Sequence, residues 1–245
     1  MDVTIIGCGE AFDERYPNTS VLASGPLTVL FDCGYSVPPA LWQAGIGPGD
    51  IDLIYISHAH ADHYFGLPPL LGRMWEDGRA KPLTILSQPA VLEQIRDLLD
   101  YGYRTLQKRF AYAIEYRAAE PCEIGGVRFS FAPTNHSVTN LAVRAEAGGR
   151  SLVYSGDGMF TDASRALVAG AGLVIHEAYQ FEPSPVHTDI PSLLAMAADQ
   201  QVKRLGMVHV QRALRAGQKE RIEAASADTS IDATLPLPGQ RFAVL

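Results

Sequence analysis

Residues 51–63 read Ile51-Asp52-Leu53-Ile54-Tyr55-Ile56-Ser57-His58-Ala59-His60-Ala61-Asp62-His63. The first seven are mostly apolar and rich in β-branched side chains, the composition of a buried strand. Tyr64-Phe65-Gly66-Leu67-Pro68-Pro69-Leu70-Leu71 follows and turns into an apolar helix. Imidazoles and a carboxylate are thus crowded onto a strand-to-helix loop. A solvated loop is the plain alternative, but four ligand-type side chains within six residues make it the poorer reading. Neutral imidazole and carboxylate are the donors that Zn²⁺ and similar first-row ions take. Side chains alternate along an extended segment, which sends His58 and His60 to one side and suits one ion. Asp62 and His63 lie past the bend, where they can face a second.

Outward from this loop, βα units and strand meanders alternate. Val3 to Ile6 reads as a strand ending at Gly7-Cys8-Gly9, a tight turn that lacks the third glycine and the helix of a dinucleotide fingerprint. Thr19 to Ala23 and Leu27 to Phe31, parted by Ser24-Gly25-Pro26, read as a hairpin. Val37 to Ala44 reads as a short helix with prolines in its first turn. A helix to Trp75, a strand at Leu83 to Leu86 and a helix from Pro89 to Tyr101 follow. Strands recur at Tyr112 to Tyr116, Val127 to Phe131, Asn140 to Ala145 and Leu152 to Tyr154. Then come a helix at Thr161 to Ala169, a strand at Leu173 to Ile175, a helix at Ser192 to Gln200, a strand at Arg204 to Val210 and a polar helix at Gly217 to Ala227. The second half mirrors the first in pattern without a repeat at fixed period. No low-complexity linker divides the chain, so one domain over 1–245 is expected. Its class is α/β: two sheets face to face with helices outside, a four-layer αββα sandwich.

Composition narrows the partners. Hydrophobic residues make up 47% of the 245, which permits a sizeable core, and the formal charge of −7 argues against a surface that tracks long nucleic acid. Cys8, Cys33 and Cys122 are widely spaced and form no CxxC pair, which fits a reducing compartment. The first residues carry an acid where a secretory signal needs bases, and no run is long enough to span a bilayer. A cytoplasmic protein with no membrane partner is the reading. Arg104, Lys108 and Arg109 lie among Tyr101, Tyr103 and Phe110, a pattern that can hold a phosphate or a base, although a solvated helix face explains it better.

Further donors stand at predicted strand ends. His136 follows Ala132-Pro133-Thr134-Asn135, Asp157 sits between glycines in Ser155-Gly156-Asp157-Gly158, and His209 closes Leu205-Gly206-Met207-Val208. The order His-x-His-x-Asp-His, then His, Asp and His resembles that of the metallo-β-lactamase superfamily along the whole chain. The resemblance implies His58, His60 and His136 on one metal, Asp62, His63 and His209 on the other, and Asp157 bridging them. Members that hydrolyse β-lactams carry Cys where Asp157 stands. Phe65-Gly66-Leu67-Pro68, Ser155-Gly156-Asp157 and Ile175-His176-Glu177-Ala178 with His187-Thr188 are similar to the ribonuclease Z group of phosphodiesterases. That similarity implies that Glu177 holds His187 and that His187 assists the leaving group; His176 is expected to point the other way.

Two departures bear on the substrate. The long tRNA-gripping arm of ribonuclease Z is missing, because Val138 to Tyr154 suffices only for a hairpin, and His209 is followed by Val210-Gln211-Arg212 instead of Ser-Arg-Tyr. The expected function is therefore a phosphodiesterase with two Zn²⁺ (Mn²⁺ or Fe²⁺ as alternatives), acting on a small or cyclic-nucleotide-type phosphodiester through a metal-bridging hydroxide. Asp62 would orient that hydroxide. The rivals are a thioester or lactone hydrolase of the glyoxalase II or lactonase kind, a tRNA 3′-end endonuclease, and a non-catalytic metal-binding scaffold. Arg73 and Arg212 are candidate phosphate contacts, with a plain surface role the simpler reading of each. The apolar run Phe65 to Trp75 is either core or a homodimer contact.

Overall fold

The computed structural model describes residues 1–245. Strands β1 (Asp2–Gly7), β2 (Ser20–Ser24), β3 (Val29–Phe31), β4 (Leu53–Tyr55), β5 (Leu83–Ser87) and β6 (Ile114–Ala118) belong to one sheet. Strands β7 (Cys122–Ile124), β8 (Val127–Thr134), β9 (Asn140–Ala147), β10 (Arg150–Tyr154), β11 (Leu173–Glu177), β12 (Arg204–Val208) and β13 (Asp232–Thr234) form the other. The final strand, β14 (Arg241–Ala243), returns to pair antiparallel with β1 at the edge of the first sheet. Each sheet starts as an antiparallel meander and continues parallel, from β3 in the first and from β10 in the second. The mirrored halves expected from the sequence are present.

Period-two alternation along the strands builds the layers. In β4, Leu53 and Tyr55 enter the core between the sheets while Ile54 faces outward; in β10, Leu152 and Tyr154 point in and Val153 out. The outer face of the first sheet is covered by α1 (Val37–Gln43), α3 (Leu67–Glu76) and α4 (Pro89–Gly102). The other is covered by α5 (Asp162–Val168), α6 (Ile190–Asp199) and α8 (Lys219–Ala227). The result is the αββα sandwich. Helix starts follow local chemistry: Thr161 and Ser164 form a capping box on α5, and Asp189 accepts the Ser192 amide at the head of α6.

Several expected boundaries shift. The strand over 51–57 shortens to β4, because the Ser57 amide turns to the Asp32 carboxylate at 2.7 Å instead of to a neighbouring strand. The helix expected over 217–227 is present as α8 and begins at Lys219; a separate helix, α7 (Arg212–Gly217), precedes it without having been expected, and the two part at Gln218 (φ −132°). β6 begins two residues later than Tyr112, whose ring is buried under the outer helices with its hydroxyl on the Leu71 carbonyl. The three-residue strands β7, β13 and β14 carry polar residues and little periodicity, and they were not foreseen. The run Phe65 to Trp75 is mainly core: Leu67, Leu70, Leu71 and Met74 are buried.

Between β9 and β10 the chain turns through Gly148 and Gly149, both at positive φ (56° and 75°). A two-residue hairpin turn needs left-handed backbone, which only glycine adopts without cost. The segment before Asp157 is therefore a bare hairpin. No helix is long and apolar enough to cross a membrane.

Candidate metal centre

Six strands end at one side of the sandwich, and each delivers a polar side chain there. β3 is followed by Asp32, β4 by the loop His58–His63, β8 by His136, β10 by Asp157 and β12 by His209, while Glu177 ends β11. Asp62 and His63 stand on α2 (Ala61–Tyr64), a single turn just past the strand. The ligand-type atoms of His58, His60, His136 and Asp157 lie within 4.8 Å of one another, as do those of Asp62, His63, Asp157 and His209. Asp157 is common to both groups, with Oδ2 at 3.4 Å from His63 Nε2 and 3.3 Å from His209 Nε2. The sequence-predicted residues are thus brought together.

Hydrogen bonds outside the cluster set which nitrogen each ring turns inward. Asp32 is fully buried and accepts from His63 Nδ1, the Ser57 hydroxyl and the Tyr154 hydroxyl, each at 2.7 Å. With its proton given to Asp32, the Ser57 hydroxyl can only accept from His58 Nδ1 at 3.0 Å. His136 Nδ1 donates to the Val186 carbonyl at 2.9 Å. The inner nitrogens of His58 and His136 then carry lone pairs, 3.1 and 3.2 Å from His60 Nδ1. Either a proton on His60 Nδ1 is shared between those two lone pairs, or, with that nitrogen unprotonated, three lone pairs face one point as they do around a bound cation.

Electrostatics point the same way. Burial keeps His58 neutral, with His63 adding to the effect, and burial and the neighbouring His136 do the same for His60. The neutral imidazole is the form that binds metal. Burial also works against charge on His63 and His209, but the facing carboxylates outweigh it: Asp157, Asp62 and Asp32 raise His63, and Asp157 and Asp62 raise His209 to about 9. Burial alone would raise the Asp62 and Asp157 carboxyls; the neighbouring imidazoles hold both well below the usual range. The pocket of buried acids therefore demands positive charge, as protons or as metal ions. His63 Nε2 and Asp157 Oδ1 are buried without a hydrogen-bond partner, and the donor set fits divalent ions.

Beside the cluster stands a second pair. Glu177 is wholly buried, with Oε1 taking the amides of Gly158 and Thr188 and Oε2 taking His187 Nδ1 at 2.8 Å. Burial disfavours the charged His187, yet its bond to Glu177 prevails and raises its pKa above the ordinary value. One face of the ring stacks on Tyr179, 4.4 Å away and tilted by 21°. His187 Nε2 is left free toward a cavity of about 370 Å³ shared with His60, Asp62, His136, Asp157 and His209. His176, buried on the same strand, bonds through Nδ1 to the backbone carbonyl of Glu177 at 2.7 Å and does not line the cavity.

Residues 1–225 match the family model described as Anti-Pycsar protein Apyc1. The chain belongs to that family. It lies within the metallo-β-lactamase superfamily, on the ribonuclease Z-like branch. The Apyc1 family member of Paenibacillus harenae is 27% identical over 83% of this chain and 87% of its own. A ribonuclease Z of Mycobacterium marinum is 27% identical over 93% and 92%. The metallo-β-lactamase fold protein YhfI of Bacillus subtilis superposes with a TM-score of 0.83 over 98% of both chains at 23% identity, a likeness of fold.

In this Apyc1 family chain the basic residues considered from the sequence stay outside the cavity. Arg73 pairs with Asp77 at 2.7 Å and lies 5.4 Å over the Trp42 ring. Arg104, Lys108 and Arg109 are exposed around a 3₁₀ turn, and none lines the pocket. Arg212 is spent on Glu10. Sequence reading missed Asp32, Asn140 and Glu10. Asp32 ends β3 next to the metal-loop strand, and that adjacency was its only signal. Asn140 is buried and clamps the loop of Asp157 through the Ser155 carbonyl at 2.9 Å and the Asp157 amide at 3.2 Å.

Proposed function

We propose that the chain is a dinuclear metallo-hydrolase acting on a small phosphodiester of the cyclic-nucleotide type. The observation that carries this reading is the convergence of two ligand groups on Asp157 beside a buried Glu177–His187 pair. His58, His60 and His136 would hold one ion, Asp62, His63 and His209 the other, with Asp157 between them. Such a pair of divalent ions lowers the pKa of a shared water toward neutrality and offsets charge on phosphate oxygens. The His-rich donor set favours Zn²⁺, with Mn²⁺ or Fe²⁺ as alternatives at the more oxygen-rich group.

The chain's own groups supply the rest. Asp62, held ionised by His63 and His209, orients the attacking water as an acceptor. His187 is kept in one tautomer by Glu177, and its Nε2 can pass a proton to the departing oxygen as the P–O bond breaks. Size supports a small substrate: the cavity is at the low end of the ~300–1,000 Å³ range of small-molecule sites. The bare β9–β10 hairpin offers no arm for a folded RNA, and the net charge of −7 discourages one.

The test is turnover by metal-loaded protein of bis(p-nitrophenyl) phosphate, purine and pyrimidine 3′,5′-cyclic nucleotides, a glutathione thioester, an acyl lactone and a tRNA precursor, with metal content measured alongside. Hydrolysis of the phosphodiesters with about two ions per chain is expected. Turnover confined to the thioester or lactone would end this reading. Cleavage of the tRNA precursor with inert cyclic nucleotides would return the endonuclease.

A further inference from the structure

The cavity has a wall that the metal ligands and His187 leave unused, formed by Glu10, Ala11, Phe12 and Tyr35. Phe12 is 75% exposed, a large apolar side chain held in water. Its segment is tied down on all sides. Glu10 is buried, takes the Phe12 amide on Oε2 at 2.8 Å, and receives the Arg212 guanidinium on Oε1. Asp13 Oδ1 accepts the amides of Arg15 and Tyr16 at 2.8 and 3.0 Å. Arg215 lies 5.1 Å over the Tyr16 ring, and the Tyr35 hydroxyl donates to the Ala11 carbonyl. Two arginines of α7, the helix just after His209, thus clamp the loop that carries Phe12.

Folding gives no reason to fix an aromatic ring at a water-filled mouth, since burial is what apolar surface gains from. A ligand with a flat apolar face does. We propose that Phe12 is the stacking platform for the base of a nucleotide whose phosphate lies at the ligand cluster. This rests on the phosphodiesterase reading above and adds how the substrate is selected. Two other aromatic rings line the cavity: Tyr35, whose hydroxyl is tied to the Ala11 carbonyl, and Tyr179, one of whose faces is already committed to His187. Phe12 has no polar atom, so it reads the π-face common to every base and tolerates purines and pyrimidines alike. Because the loop is anchored before the ligand arrives, little ordering entropy is lost on binding.

Steady-state kinetics of the metal-loaded enzyme test this. The substrates are the 3′,5′-cyclic mononucleotide it turns over fastest and the corresponding methyl riboside 3′,5′-cyclic phosphate, which has no base. Phe12→Ala should raise KM for the nucleotide roughly tenfold, within the range lost with one stacked base. Its kcat should stay within about twofold, and KM for the base-free substrate should not move. Phe12→Trp should restore nucleotide KM, while Phe12→Leu, apolar but without a π-face, should not. Equal losses on both substrates, or a nucleotide KM indifferent to Phe12→Ala, would overturn the platform and leave the phosphodiesterase standing. A wild-type enzyme inert toward both substrates would overturn the functional reading and the platform together.

Discussion

The Asp32 carboxylate accepts His63 Nδ1 at 2.7 Å, and through Ser57 it also fixes His58. One buried acid therefore sets the inward nitrogen on both sides of the cluster. It stands at φ 57°, in the left-handed region that Asp and Asn tolerate better than most residues.

Asp32→Asn keeps the shape and the backbone conformation but puts an NH₂ where one acceptor oxygen stood. Metal affinity should fall ~10–100-fold, the usual consequence of losing a carboxylate behind a metal-binding histidine. Competition with a chromophoric chelator measures it, and unchanged affinity would remove Asp32 from the site. Asp32→Ala should also lower stability, because φ 57° strains alanine and four buried donors lose their partner.

His187→Ala should lower kcat on an alkyl phosphodiester by ~10²–10⁴ while metal content stays constant. The loss should shrink on bis(p-nitrophenyl) phosphate, whose leaving group departs without a proton. The pH dependence follows from the raised pKa of His187. Its acid form acts, so its contribution persists below that pKa and disappears as pH rises through it. The alkaline limb of the alkyl-ester profile should therefore be absent in His187→Ala; an unchanged limb would assign it to another group.

Chelator-treated protein should lose stability as pH rises. The folded-state pKa of His209, about 9, exceeds the ~6.5 of the unfolded chain. Its contribution is fully present below the unfolded value and is lost between there and about 9, with His63 acting in the same direction. Tm should drop by roughly 5–10 °C between about pH 6 and 9.5. Metal-loaded protein should show no such drop, because an imidazole that binds an ion through its inner nitrogen carries no proton there. A flat profile for the stripped protein would show that His63 and His209 are not the cluster's proton holders.

Gly156→Ala should destabilise by ~2–4 kcal/mol. Gly156 sits at φ 58°, and a Cβ there would run into the Asn140 side chain and, at 2.7 Å, into Ser57 Cβ. Both neighbours are bound elsewhere and have little room to retreat. Since the same turn aims Asp157, metal affinity should fall with stability; thermal melts and chelator competition report the two separately.

The layered architecture and the first four residues of the cluster were readable in the chain because both rest on short-range signals. Alternating Leu53, Ile54 and Tyr55 gives a strand whatever surrounds it, and His58, His60, Asp62 and His63 lie within six residues. His136, Asp157 and His209 stand at predicted strand ends, a weak signal for each alone, and only the resemblance to the metallo-β-lactamase superfamily joined them to the loop of His58 to His63. The break at Gln218, the short edge strands and the inward nitrogens of the rings carry no such local mark.

What the sequence by itself determined was the inventory: where most of the strands lie, which faces are apolar, and which side chains have the chemistry to hold divalent ions. Only the tertiary structure decided which of them act together. Asp32 meets His63 because β3 and β4 are parallel neighbours, and Phe12 faces the ligands because Arg212 and Arg215 of α7 pin its loop from about 200 residues away in the chain. Hydrogen bonds of this reach depend on angle and on burial, and neither is encoded in the spacing of residues along a chain.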